Sequence, residues 1–205
     1  MESWTDWRRT TMNKLVYYGI VCEDLAHKTF IYHYLASCFP ETFSENEEFG
    51  WRIRATNAKE VDDSIIDAAR QGFTKYSLDM LIIGRDADTT DAGRIKVLRD
   101  VHEGSCGPYL RSVVFMVPVQ CIEHWLLYIK KHRDRPEVTK NESLESVRRI
   151  ECKRLVYGDI KKAVRQAEIA NTILADFDAD WLEQRSESFK QFHNQVKNFL
   201  TSFSQ

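Results

Sequence analysis

The stretch that decides the fold is Leu78 to Asp91, LDMLIIGRDADTTD, an apolar run that ends in a group of carboxylates. Leu78, Met80, Leu81, Ile82 and Ile83 form a short, nearly continuous hydrophobic segment, the pattern of a strand buried on both faces of a parallel sheet. Gly84 breaks the run. Asp86 and Asp88 follow at i, i+2, so in extended backbone their side chains leave on one side. Two acids in one small volume repel each other unless a proton or cation compensates, and a hard cation with oxygen ligands, Mg²⁺ or Mn²⁺, meets that need. The same letters also fit a solvated turn, since Asp and Thr are ordinary turn residues. The flanking chain has to decide between them.

Outward from this stretch, strand-like and helix-like segments alternate. Lys14 to Cys22, KLVYYGIVC, is β-branched and aromatic and reads as a first strand, closed by Glu23 and Asp24. A helix follows up to Pro40 with Asp24 as its N-cap, then an acidic loop from Glu41 to Glu48 and a weakly alternating second strand at Trp51 to Ala55. Lys59 to Phe73 places Val61, Ile65, Ile66 and Ala69 on one helical face. After the central strand come a helix around Ala92 to His102, capped by Asp91, and a fourth strand, Ser112 to Val119. A further helix then starts near Glu123. This order predicts an α/β protein, an open sheet of about four mainly parallel strands flanked by helices. Beyond the polar linker around Pro136 the pattern turns helical: Ser143 to Leu155, Asp159 to Leu174 and Asp180 to Phe199. The expected division is a polar arm (1–13), an α/β domain (14–135) and a helical C-terminal extension (136–205).

Composition narrows the class. With 205 residues, 43% hydrophobic and 29% charged, the chain is ordinary globular material. Lys and Arg total 29 against 31 Asp and Glu, so any basic surface must be local. Lys130, Lys131, Arg148, Arg149, Lys153 and Arg154 are the candidates for holding nucleic acid, although a solvated helix face explains the same cluster. No apolar run approaches the ~20 residues of a membrane span and the first residues lack a signal-peptide core, so a cytoplasmic protein without membrane contact is expected. Cys22, Cys38, Cys106, Cys121 and Cys152 are odd in number and contain no C-x-x-C, and read as reduced core thiols rather than disulfides or zinc ligands.

Ligands of open α/β sheets bind outside the carboxyl ends of the strands. Glu23 closes the first strand, Asp86 and Asp88 close the third, and Glu123 follows the fourth; acids converging on one edge need a metal. His27, four residues after Glu23, reads as a hydrogen-bonded surface histidine ahead of a ligand.

A glutamate at the end of the first strand and a D-x-D at the end of the third resemble the Toprim superfamily, the fold of topoisomerase and primase catalytic domains and several nuclease groups. The segment Val117 to Leu127, VPVQCIEHWLL, further looks like that of small bacterial Toprim-like proteins encoded beside ATPases in mobile-element and phage-defence loci. The resemblance covers roughly Leu15 to Lys131, with Cys22 where the family usually has a glycine beside the glutamate. It implies Mg²⁺- or Mn²⁺-dependent phosphodiester hydrolysis by Glu23, Asp86, Asp88 and Glu123, on DNA rather than RNA, with a partner ATPase. A non-catalytic Toprim-like regulatory subunit is the alternative. Asp86 to Thr90 also fits D-x-D-x-T, the nucleophile motif of haloacid-dehalogenase-like phosphatases, but Gly84 and Arg85 separate it from the strand.

Overall fold

Strand alternation sorts the apolar residues of this chain into two cores. In the computed structural model, which describes residues 14–135, 143–175 and 177–204, the strands are β1 (Val16–Cys22), β2 (Phe43–Glu45), β3 (Met80–Gly84) and β4 (Val113–Met116). They pair in parallel throughout, in the order β2-β1-β3-β4. Val16, Tyr18, Ile20, Met80, Ile82, Val114 and Met116 face one core, while Val21, Leu81, Ile83, Val113 and Phe115 face the other. Burial on both faces is why the central strand is apolar without interruption.

The helices among the described residues are α1 (Leu25–Cys38), α2 (Glu47–Arg52), α3 (Ala58–Thr74), α4 (Ala92–Cys106), α5 (Glu123–Asp134), α6 (Arg149–Tyr157), α7 (Ala163–Leu174), α8 (Ala179–Glu183) and α9 (Glu187–Phe203). On the first face lie α1, α5 and the C-terminal helices; on the second lie α2, α3 and α4. The chain therefore leaves β1 over one face toward β2 and leaves β3 over the other face toward β4, at opposite edges of the sheet. The carboxyl ends of β1 and β3 flank that reversal, where doubly wound sheets form a crevice.

The C-terminal helices share the core of the first face. Trp125 of α5 lies 5.0 Å from Phe30 and 5.3 Å from Phe189, ring centre to ring centre, so α1, α5 and α9 meet in one aromatic cluster. Gln195 of α9 accepts from the Phe115 N–H (2.9 Å) and donates to the Phe115 carbonyl (3.2 Å), closing the free edge of β4 as a neighbouring strand would. No described helix is long and apolar enough to cross a membrane.

Several boundaries differ from the sequence reading. The second strand is Phe43–Glu45, inside the expected loop, and Trp51 to Ala55 is not a strand. Asn46 accepts from the Phe49 N–H and Glu47 and Glu48 fill the first turn, so 47–52 becomes helical and leaves Trp51 exposed. The expected helix from Ser143 starts only at Arg149, after a 3-10 turn at Leu144–Ser146. The last expected helix divides into α8 and α9 because Ser186 caps a new start, accepting from the Phe189 N–H. The expected arm (1–13) and the centre of the linker (136–142) lie outside the described residues.

Candidate functional site at the sheet switch point

Hydrogen bonding between strands continues past their ends and draws the acid-bearing loops together. The Glu23 N–H donates to the Gly84 carbonyl (3.1 Å), Arg85 N–H to Met116 (3.0 Å) and Ala87 N–H to Pro118 (2.9 Å). Gly84 is the point of closest approach: a Cβ there would stand 2.9 Å from Cys22 Cβ and 3.3 Å from the His27 ring. With no side chain at this rung, Glu23 and Asp86 come together, and the Asp86 N–H donates to Glu23 Oε2 (3.2 Å).

Asp86 is the buried centre of the site. Its Oδ1 accepts from the Ile122 N–H (2.9 Å), fixing the entry to α5, and stands 3.0 Å from His27 Nε2. Its Oδ2 pairs with Arg149 (3.2 Å). Asp88 is exposed and has a left-handed backbone (φ 55°), tolerable for Asp, so the two aspartates do not simply share one side of an extended strand. They converge nonetheless on one guanidinium, because Arg149 also pairs with Asp88 and approaches Glu23 Oε1 (3.6 Å). Arg85 holds Asp88 at 3.1 Å and reaches Asp62 of α3 at 3.2 Å, anchoring the loop. Glu123 is buried in the first turn of α5, with Oε1 3.4 Å from Lys153. Beside it the Tyr157 hydroxyl is buried too, and burial and then the Glu123 charge push its pKa up.

The compensation expected from a metal thus comes, in this conformation, from the chain itself. Arg149 and Lys153 are i, i+4 on α6 and so present both cations to the acids on one helix face. Behind Asp86, His27 is fully buried between Asp86 and Asp24, whose Oδ1 accepts from both the backbone N–H (3.0 Å) and Nδ1 (2.8 Å) of His27. The surface position expected for His27 is therefore corrected: Asp24 caps α1 and, one turn on, holds the histidine inward. That Asp-x-x-His spacing was the available signal. Asp91 caps α4 as the sequence suggested, accepting from the Arg94 N–H.

Charge follows geometry. Burial favours the neutral imidazole of His27, but the Asp86 and Asp24 carboxylates outweigh it and hold its pKa well above the usual value. Burial would likewise raise Asp24, yet the His27 charge and hydrogen bonds hold it well below the carboxylate range. For Glu23, burial and then the Asp86 charge raise the pKa above the ordinary carboxylate value. The Glu123 charge outweighs burial at Lys153 and raises the ammonium.

Of the six basic residues singled out in the sequence, Arg149 and Lys153 meet the acids. Lys131, Arg148 and Arg154 are exposed, and Lys130 donates to the Leu155 carbonyl (2.7 Å) at the end of α6. As donors for a hard cation the four carboxylates fit by type: all are oxygen ligands, and Glu23, Asp86 and Glu123 are buried. In this conformation Arg149 stands among three of them, and no three of the acids bring oxygens within 4.8 Å of one another among the described residues. A beside-site cleft of about 530 Å³ between α4 and the N-terminus of α9 carries Asp100, Glu103, Glu145 and Glu187 against Lys96 and Arg99, so it does not suit a polyanion.

No family model matches the chain, and neither does any curated protein or solved structure. Fold and site define a class: a parallel α/β protein with interlocked carboxylates and helix-borne cations at the switch point of its sheet.

Proposed function

We propose that this chain is a metal-dependent phosphodiesterase of the Toprim type, acting on nucleic acid, DNA rather than RNA. The observation that supports it best is that acids following three neighbouring parallel strands, Glu23, Asp86 and Glu123, gather at the switch point beneath Arg149 and Lys153. Mg²⁺ or Mn²⁺ held by Asp86, Asp88 and Glu123, with Glu23 as a further ligand or proton carrier, would neutralise the phosphodiester and its leaving oxygen. Arg149 and Lys153 exchange acid partners for phosphate oxygens, with Arg148, Arg154 and Lys131 extending the cationic surface. Glu23, its pKa raised by burial and by Asp86, accepts and returns the proton. His27 and the Ile122 N–H hold Asp86 in place. Direct attack by Asp86 on phosphorus is disfavoured, since Asp86 is buried with both oxygens engaged.

In this reading the setting is bacterial phage defence or mobile-element biology, in the cytoplasm, with a partner ATPase. The second reading, a non-catalytic regulatory subunit, draws on the same ion pairs: Arg149 and Lys153 already satisfy the acids. Cleavage of plasmid DNA and of RNA, with and without Mg²⁺ or Mn²⁺ and with any neighbouring ATPase, separates the two. Metal-dependent cleavage should fall roughly 10²-fold or more in Glu23→Gln with binding retained. Cleavage that survives Glu23→Gln combined with Asp86→Asn would remove the chemistry from this site. Absence of cleavage under every condition favours the regulatory subunit.

A further inference from the structure

Beside the carboxylates, but separate from them, lies a cluster of different chemistry. Cys121, His124 and Cys152 are each fully buried, and their sulfur and imidazole donor atoms lie within 4.8 Å of one another. Both cysteines are free thiols. His124 Nδ1 is 3.3 Å from Cys121 Sγ. In a tetrahedral zinc site, Zn–S of about 2.3 Å and Zn–N of about 2.0–2.1 Å put sulfur and nitrogen donors roughly 3.6 Å apart, so the cluster already has nearly the span of a ligand set.

The histidine is oriented for the task. Its Nε2 donates to the Val147 carbonyl (2.8 Å), which fixes the ring so that Nδ1 faces the Cys121 thiol. Nδ1 also stands 3.1 Å from the Cys121 carbonyl oxygen. A lone pair on Nδ1 facing that oxygen is unfavourable, so Nδ1 carries either a proton or a metal ion. Soft thiolates with imidazole select Zn²⁺ over Mg²⁺, so this cluster and the all-oxygen acids would not compete for one ion.

We propose that Cys121, His124 and Cys152 form a Zn²⁺ site that ties α6 to the entry of α5. The two thiol protons, together with the proton Nδ1 carries in the metal-free protein, pass to solvent on binding, and the three protein donors leave one coordination position. Placement gives the site its consequence. Cys152 precedes Lys153 directly and lies one turn beyond Arg149, while Cys121 and His124 flank Glu123. An ion here therefore sets the register of α6 in which Arg149 and Lys153 meet the acids. The site stands whether or not those acids catalyse anything.

The test is metal content and ligand spectroscopy on the full chain purified in reductant without chelator. Elemental analysis should return about one zinc per chain, and Co²⁺ added to the stripped protein should give thiolate-to-cobalt charge-transfer absorption with tetrahedral visible bands, displaced by Zn²⁺. Cys121→Ser and Cys152→Ser should each lose or shift these bands, while Cys38→Ser and Cys106→Ser keep them. Stripping the metal should lower Tm in the wild type and not in Cys152→Ser. If Cys152→Ser fails to fold, the wild-type cobalt spectrum and its displacement by zinc decide the matter. Fully reduced protein without cobalt–thiolate absorption overturns the proposal, as do bands unchanged in both Cys121→Ser and Cys152→Ser. A Cys121–Cys152 disulfide in protein purified in reductant overturns it equally.

Discussion

Asp86 shows how much one side chain can organise. One oxygen fixes the start of α5 through the Ile122 N–H and meets His27, while the other meets Arg149, so three elements are placed by one carboxylate. His27 carries the pH dependence of this arrangement. Its folded pKa is raised above the ordinary value near 6.5, so its contribution to stability is fully present below about pH 6.5. It is lost as pH rises through the raised folded value, at up to about 1.4 kcal/mol per pH unit. The stability gap between wild type and His27→Gln, measured by urea unfolding from pH 6 to pH 9, should therefore narrow with rising pH; a constant gap would mean that the ring is neutral. Gly84→Ala tests the same spot sterically. The new Cβ meets Cys22 and the His27 ring with nowhere to go, and a loss of about 1–3 kcal/mol is expected in the same assay.

At the scale of elements, α6 is the piece that answers the sheet. It stands across α5, its last carbonyls held by Lys130, and lowers two cations onto the acids. Because Arg149 fills the place among Glu23, Asp86 and Asp88, a divalent metal of the kind proposed would have to compete with it. Arg149→Ala should therefore lower Tm in metal-free buffer, since buried Asp86 loses a partner, and should enlarge the Tm increase produced by millimolar Mg²⁺ or Mn²⁺. A tenfold gain in metal affinity is worth about 1.4 kcal/mol at saturation. Asp88→Ala should abolish the response. Identical metal-induced shifts in wild type and Arg149→Ala would show that the ion does not bind among these acids.

For the molecule as a whole, one buried cluster joins the first face of the sheet to α1, α5 and α6 to α9. The C-terminal helices are thus expected to fold with the sheet. Phe189→Ala, which empties the contact with Phe30 and Trp125, should cost about 3–5 kcal/mol and shift near- and far-ultraviolet circular dichroism transitions together. Truncation after Arg135 should leave a chain without a cooperative transition, because Trp125, Phe30 and Tyr34 lose their cover. Two separate transitions in the full chain would show that the C-terminal helices fold independently.

The sequence by itself determined the parallel α/β order, the strands ending near Cys22 and Ile83, the caps at Asp24 and Asp91, and the acids that would lie at strand ends. These are short-range matters: alternation, apolar runs and capping residues act within one or two turns of chain. The edge strand Phe43–Glu45 escaped because three residues paired on one side carry no pattern. Only tertiary structure decided which charges meet. Arg149 reaches Asp86 across 63 residues, and Cys152 reaches Cys121 and His124 from a helix whose place against α5 no local pattern specifies. Burial of His27 in α1 likewise depends on the absent side chain of Gly84 at the end of β3. Spacing along the chain specifies a helix face, but which face it meets is set by packing the whole core, and the partners of each charge follow from that packing.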